Sequence, residues 1–168
     1  MGADFATVGN AIPAIRPAAR ALIVDADQRV LLFRAELPDR DPWWYAPGGA
    51  LEDGETYETA LAREVLEETG LAIDVAALGP AVWTRDYLFT WLGMRERHLE
   101  MFFLIRIDNH EVDTRFDPAQ SAVIRTSRWW RLDEILRSAE RFSPVRLGEC
   151  LMPLLQDRMP DEPLAVGE

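Results

Sequence analysis

The stretch best equipped for chemistry runs from Gly48 to Leu71 and reads GGALEDGETYETALAREVLEETGL. At about 100° per residue on a helix, Glu64, Glu67 and Glu68 fall within roughly 100° of one another, so their carboxylates leave one side together. Leu61, Ala62, Val65 and Leu66 occupy the neighbouring arc, where they can face a core. Local rules oppose this placement. Glu64 and Glu68 are a like-charge i,i+4 pair, which weakens a helix by about a few tenths of a kcal/mol. All three acids also sit in the final turns, where the helix dipole prefers cations. A hard cation with oxygen ligands removes the conflict, and magnesium typically binds through a few carboxylates plus substrate phosphates. A solvated acidic face is the competing reading. Against it stand Gly48-Gly49, where bare backbone can approach a ligand, and Gly54, free of Cβ restrictions. Glu55 lies just ahead of the helix, and Arg63 adjoins the cluster, where it can hold a carboxylate in position.

The elements around this cluster follow from apolar periodicity and punctuation. Residues 1–16 read as an extended arm, followed by apolar runs Ala18–Val24 and Val30–Arg34 around a turn at Asp25–Gln28. A polar loop, Glu36–Pro42, precedes the aromatic run Trp43-Trp44-Tyr45. Thr56–Thr69 is the clearest helix, stopped by Gly70. Ile73–Trp91, Arg97–Ile107 and Ser127–Arg131 are predicted strands, with a loop over Asp108–Thr126. A short helix covers Asp133–Ser138. Ser143-Pro144 is expected to start the last helix, serine as cap and proline in its first turn, with Leu147, Leu151, Leu154 and Leu155 as its apolar stripe. This order predicts an α/β (α+β) fold, a mixed sheet between helices, over residues 17–158, with 159–168 as a tail.

Bulk properties narrow the function. The chain has 168 residues, 48% of them hydrophobic, and a single cysteine, Cys150, so no internal disulfide forms. No apolar run is long enough for a membrane span, and the first residues lack the charged start of a signal peptide, which makes the cytoplasm the expected location. The net charge of −11 repels nucleic-acid polymers. A protein this acidic binds a phosphorylated molecule through a local basic patch or through divalent cations.

The cluster resembles the Nudix box over residues 49–71. Gly49 opens the pattern and Glu55 follows at the required gap. Arg63-Glu64-Val65 and Glu67-Glu68 come next, and Gly70-Leu71 closes it. The Tyr45–Gly49 approach, Trp129-Trp130 and Leu132-Asp133-Glu134 are also similar to many family members. The resemblance implies an α/β/α sandwich with a loop–helix–loop catalytic motif. It implies a pyrophosphohydrolase dependent on magnesium, with manganese as the alternative, in which a metal-activated water attacks phosphorus. Carried over, Glu64, Glu67, Glu68 and the Gly48 carbonyl are the metal ligands. Arg63 orients the glutamates and Glu55 supports the loop. The general base varies in the family, being a box glutamate such as Glu64 or a carboxylate from elsewhere. Glu100 is the outside candidate, because alternation points it to the same side as Phe102 and Leu104; a strand-end glutamate near a turn is the other reading.

The substrate is less legible. The implied class is a small nucleotide: a nucleoside diphosphate linked to another group, as in a nucleotide sugar, a dinucleoside polyphosphate or a nucleoside triphosphate. Trp43, Trp44, Trp83, Tyr87 and Trp91 could stack on a base, and Arg34, Arg85, Arg95 and Arg97 could meet phosphates. Asp86 stands where a family proline suggests ADP-ribose, whereas Tyr87 stands where a tyrosine suggests diadenosine polyphosphates. His98 reads as a hydrogen-bonded or surface histidine, and His110 as a loop residue. Two other classes compete: a catalytically silent nucleotide-binding regulator, which predicts lost box glutamates, and an isopentenyl-diphosphate isomerase, which needs a cysteine near the pocket. A homodimer is compatible with the sequence.

Overall fold

A computed structural model describes residues 13–38, 40–91, 94–108 and 124–167. The apolar run of β1 (Ala14–Val24), interrupted by Arg16 and Arg20, makes it the central strand, buried from Ala18 onward except for Arg20. It pairs in parallel with β5 (Met94–Arg106), in register from Ala14 opposite Glu96 to Val24 opposite Arg106. β4 (Trp83–Trp91) lies antiparallel on β5, and the short β8 (Leu164–Ala165) adds in parallel to β4.

The second half of the sheet is built on β2 (Arg29–Leu37), flanked by β3 (Arg40–Tyr45) and β6 (Ile124–Arg131), with β7 (Arg141–Ser143) parallel to β3. The paired register between β1 and β2 is Val24 opposite Val30, at the hairpin, where Gln28 takes φ 58. Beyond the hairpin the edge of β1 is free for another segment, and residues 47–51 take it. Ala19 N–H donates to Gly49 (2.9 Å), Ala21 N–H to Pro47 (2.8 Å) and Leu51 N–H to the Pro17 carbonyl (3.0 Å). The glycine pair is thereby fixed beside the middle of β1.

Three α-helices among the described residues complete the layers. α1 (Tyr57–Thr69) is started by Thr56, whose hydroxyl accepts from Thr59 N–H, and ended by Gly70 at φ 71, whose N–H returns to Leu66. It buries Ala60, Leu61 and Val65 against Ala19, Ala21, Phe33 and Phe103. On the opposite face α2 (Leu132–Arg137) and α3 (Leu147–Leu155) cover a second core around Leu22, Leu32, Trp83 and Phe102. The mixed sheet between helices is the expected α/β/α architecture.

Several boundaries differ from expectation. β1 begins at Ala14, inside the proposed arm. The run from Ile73 is not strand: Val75–Ala77 is one 3-10 turn, capped by the Asp74 carboxylate, and β4 begins at Trp83. Ser143-Pro144 does not start α3; Ser143 ends β7, and the helix begins at Leu147. Leu147, Leu151 and Leu154 are buried as expected, but Leu66 of α1 is exposed. The proposed tail contributes β8 and the buried Val166. His110 and the Trp91 side chain lie outside the described residues.

Candidate active site

The box forms one hydrogen-bonded unit around Arg63. Its Nε and Nη2 donate to the two oxygens of Glu55, each at 2.9 Å, its Nη1 to Glu64 Oε1 at 2.8 Å, and Nη2 also to the Ala50 carbonyl at 3.1 Å. Glu55 Oε2 accepts a further bond from Glu52 N–H, 2.8 Å. These donors, Arg63 first, hold the Glu55 carboxyl down at about 2. The planar fork of arginine suits this role, since one guanidinium fixes the loop, the helix and a cluster acid together.

The glycines are there because nothing larger fits. A Cβ on Gly49 would fall 2.4–2.7 Å from the Glu64 carboxylate, so this acid lies directly over bare backbone. Gly48 has φ +122, and a Cβ there would fall 2.1 Å from the Ala19 carbonyl oxygen. Its N–H donates to Glu68 Oε2 at 2.7 Å, and its carbonyl accepts from Arg20 Nη1 at 2.6 Å. Burial pushes the Glu68 carboxyl up to about 8, against the opposing pull of the Gly48 N–H and Arg20. Glu67 is half-exposed, with an oxygen 3.8 Å from Arg63 Nη1. Glu64 and Glu68 thus converge on the glycine pair, while Glu67 stands at the rim. Among the described residues no three acids close tightly enough to enclose a cation by themselves. The donor set, acids and a backbone carbonyl beside unobstructed glycine, fits a hard cation that takes its remaining ligands from substrate phosphate or water.

Gly48, Gly49 and Ala50 form one wall of a cavity of about 1140 Å³ between the halves of the sheet and the α2–α3 side. Arg16, Arg20, Arg40, Arg85, Arg141 and Arg146 line it, against Asp41, Glu140 and Glu149. The acidic chain therefore holds a locally basic cavity. Tyr45, Tyr87, Trp43 and Phe89 give it aromatic walls.

Other expected site residues fall in different places. Trp83 is 1% exposed and packs on Phe102 at 5.6 Å within the core, so its ring has no open face for a base. Trp44 is also core, its indole N–H donating to Glu140. Arg97 pairs with Asp86 and Arg34 with Glu36, and neither lines the large cavity. Tyr87 does line it, its ring 4.2 Å from the Arg85 guanidinium and its hydroxyl 3.4 Å from His98 Nδ1. His98 is buried and hydrogen-bonds Glu96, and burial keeps its imidazole below the ordinary pKa.

Glu100, the outside candidate for the general base, is enclosed by two arginines. Its side chain has no exposed surface, Oε1 accepts from Arg20 Nε at 2.9 Å, and Oε2 accepts from Arg85 Nε at 2.8 Å. Burial opposes its charge, but Arg20 and Arg85 outweigh that and hold the carboxyl below its usual value. Both oxygens of this carboxylate are thus taken up by arginines. Sequence reasoning passed over Arg20, although an arginine between Ala19 and Ala21 in a buried strand is a signal in itself.

The family model for the NUDIX domain matches residues 14–147. An RNA pyrophosphohydrolase of Novosphingobium aromaticivorans is 27% identical over 124 residues, which span 68% of this chain and 76% of the relative. An oxidized purine nucleoside triphosphate hydrolase of Danio rerio is 34% identical over 93 residues, 55% of this chain and 51% of that one. The fold is similar to the crystal structure of a MutT protein from Methanosarcina mazei, with TM-score 0.63, 20% identity, and coverage of 86% of this chain and 96% of that one.

Proposed function

The chain belongs to the NUDIX family, and from that premise we propose that it hydrolyses a phosphoanhydride bond in a nucleoside diphosphate joined to a second group. The observation that carries this reading is the placement of Glu64 and Glu68 over Gly48-Gly49, at the wall of an arginine-lined cavity. Glu64, Glu67, Glu68 and the Gly48 carbonyl would hold the cation, magnesium or manganese. Such an ion neutralises charge on the phosphate oxygens and eases deprotonation of the attacking water. Arg63 and Glu55 keep Glu64 in its orientation, and Gly49 leaves it room. With Glu100 occupied by arginines, a box carboxylate is the remaining proton acceptor, and Glu64, held by Arg63 alone, is the best placed.

The substrate we favour is a small nucleotide derivative. The cavity has the volume for one, with aromatic walls for a base and arginines for phosphates. The relatives named RNA pyrophosphohydrolases make a 5′-phosphorylated RNA end the second candidate, against which the net charge of −11 weighs. A panel of nucleoside triphosphates, dinucleoside polyphosphates, nucleotide sugars, ADP-ribose and 5′-triphosphorylated RNA tests both, reading phosphate released after phosphatase treatment. Magnesium-dependent cleavage of a small member is expected; cleavage that persists in excess chelator, or of no member, would refute the proposal.

A further inference from the structure

We propose that Arg20 and Arg85, held by the buried Glu100, form an anion subsite on the strand floor of the cavity. There they would take a phosphate of the substrate beside the Gly48 carbonyl, which Arg20 already holds. The inference rests on the hydrolase reading above and deepens it by adding binding residues from outside the box.

Register brings the three together. Glu100 of β5 lies opposite Ala18 of β1 and opposite Arg85 of β4. Arg20, two residues along β1 from Ala18, shares its face, so both guanidinium groups converge on one carboxylate from strands on either side. Arg20 and Arg85 carry two positive charges against one negative, so the cluster is left with a net charge of +1 in a site with almost no solvent. Removing charges from water is costly, and replacing such a triad by apolar residues of similar volume is often neutral or stabilising. Stability alone therefore gives little reason for it.

The unused donors point the same way. Arg20 spends Nε on Glu100 and one Nη1 proton on the Gly48 carbonyl. Its Nη2 has no hydrogen-bond partner among the described residues, and Arg20 lines the cavity with its side chain 15% exposed. The guanidinium is held over the Tyr45 ring, 5.4 Å from the centroid, which restricts how it can turn. Arg85 is clamped harder: its Nη1 donates to Ser143 Oγ at 2.7 Å, and its plane lies against Tyr87. Arg20 is thus the direct phosphate contact. Glu100 is a positioning residue that aims both arginines, and Arg85 supplies charge behind them. Because Arg20 also holds the Gly48 carbonyl, a phosphate on Arg20 lies next to the place the cation would occupy.

Inorganic pyrophosphate in chelator isolates this subsite, since the uncompensated glutamates repel anions and leave the arginines as the attractive part of the cavity. Calorimetry should show pyrophosphate binding to the wild type, weakened about tenfold or more in Arg20→Gln, the loss expected for a charge-assisted contact. Arg137→Gln, exposed on α2 and outside the cavity lining, should bind as wild type. In Glu100→Gln the arginines lose their counter-charge, so pyrophosphate should raise its melting temperature more than it raises that of the wild type, a response a merely structural acid would not give. If Glu100→Gln does not fold, Glu100→Asp replaces it, with the expectation of weaker pyrophosphate binding by a shifted Arg20. Wild-type affinity in Arg20→Gln, or no pyrophosphate binding to the wild type, overturns the subsite. Magnesium-dependent hydrolysis alongside an unaffected Arg20→Gln would leave the hydrolase reading standing and the subsite refuted. A weakened Arg20→Gln in a protein that cleaves no nucleotide would do the reverse.

Discussion

Gly48→Ala and Gly49→Ala, one residue apart, should fail in opposite ways. At Gly48 a methyl group meets the Ala19 carbonyl oxygen at 2.1 Å, and φ is +122, a conformation L residues rarely adopt. The backbone term costs about 1–3 kcal/mol. Relieving the clash pulls the 47–49 segment off β1, where Ala19 and Ala21 donate to it, and two hydrogen bonds add about 0.5–1.5 kcal/mol each. The sum, about 2–6 kcal/mol, corresponds to a fall of about 5–20 °C in melting temperature for a domain of this size. At Gly49 the obstacle is the far end of the Glu64 side chain, at 2.4–2.7 Å, and the backbone is unstrained. That carboxylate can swing away, losing one partly exposed ion pair with Arg63, so the melting temperature should fall by no more than about 3 °C. Turnover is another matter. A displaced Glu64 no longer faces the glycine pair, and activity with magnesium should drop about 100-fold or more. Melting curves and nucleotide turnover on the two variants decide it. Near-wild-type turnover in Gly49→Ala, or an unchanged melting temperature in Gly48→Ala, would refute the reasoning.

Glu67→Gln and Glu68→Gln should each lower turnover by at least about 100-fold with the fold intact, read by steady-state kinetics beside circular dichroism. Trp83→Ala should cost about 3–5 kcal/mol in a denaturant melt, with KM unchanged at temperatures where the variant is folded; a raised KM would return Trp83 to the binding site. Glu55 has its carboxyl lowered from 4.5 to about 2 by Arg63 and the Glu52 N–H. Its contribution to stability is therefore complete above the ordinary carboxyl value and lost as pH falls through about 2, and Glu55→Gln should flatten the acid limb of the stability profile between those values.

What was legible in the sequence is what is local. Thr56 and Gly70 announce the ends of α1 because caps act within one turn, and the Gly49–Leu71 spacing delivered Glu64, Glu68, Arg63 and Glu55 to one unit. The misplacements share a non-local cause. Ser143 carries a helix-start signal, but pairing of β7 with β3, about a hundred residues away in sequence, holds it in a strand. Glu100 stands out in the sequence as an acid on an otherwise apolar strand face. Its partners are Arg20, 80 residues earlier, and Arg85, 15 earlier, so its role depended on a register no local pattern records. Trp83 and Tyr87 both lie on β4, on the same alternation, yet one is core and the other cavity wall, because the cavity opens only partway along the strand.

Thermal melts with and without millimolar magnesium, on the wild type, Glu64→Gln and Glu68→Gln, test the cation site most directly. An ion that binds only the folded protein at about 100 times its Kd adds about 2.7 kcal/mol, roughly 5–10 °C here. The wild type should gain on that scale, and both variants clearly less, while without the ion each should melt within about 3 °C of the wild type, since burial already keeps Glu68 largely neutral near pH 7 and Glu64→Gln gives up one partly exposed ion pair with Arg63. Equal gains in all three proteins would show that the ion binds elsewhere and that the acidic face of α1 is ordinary surface.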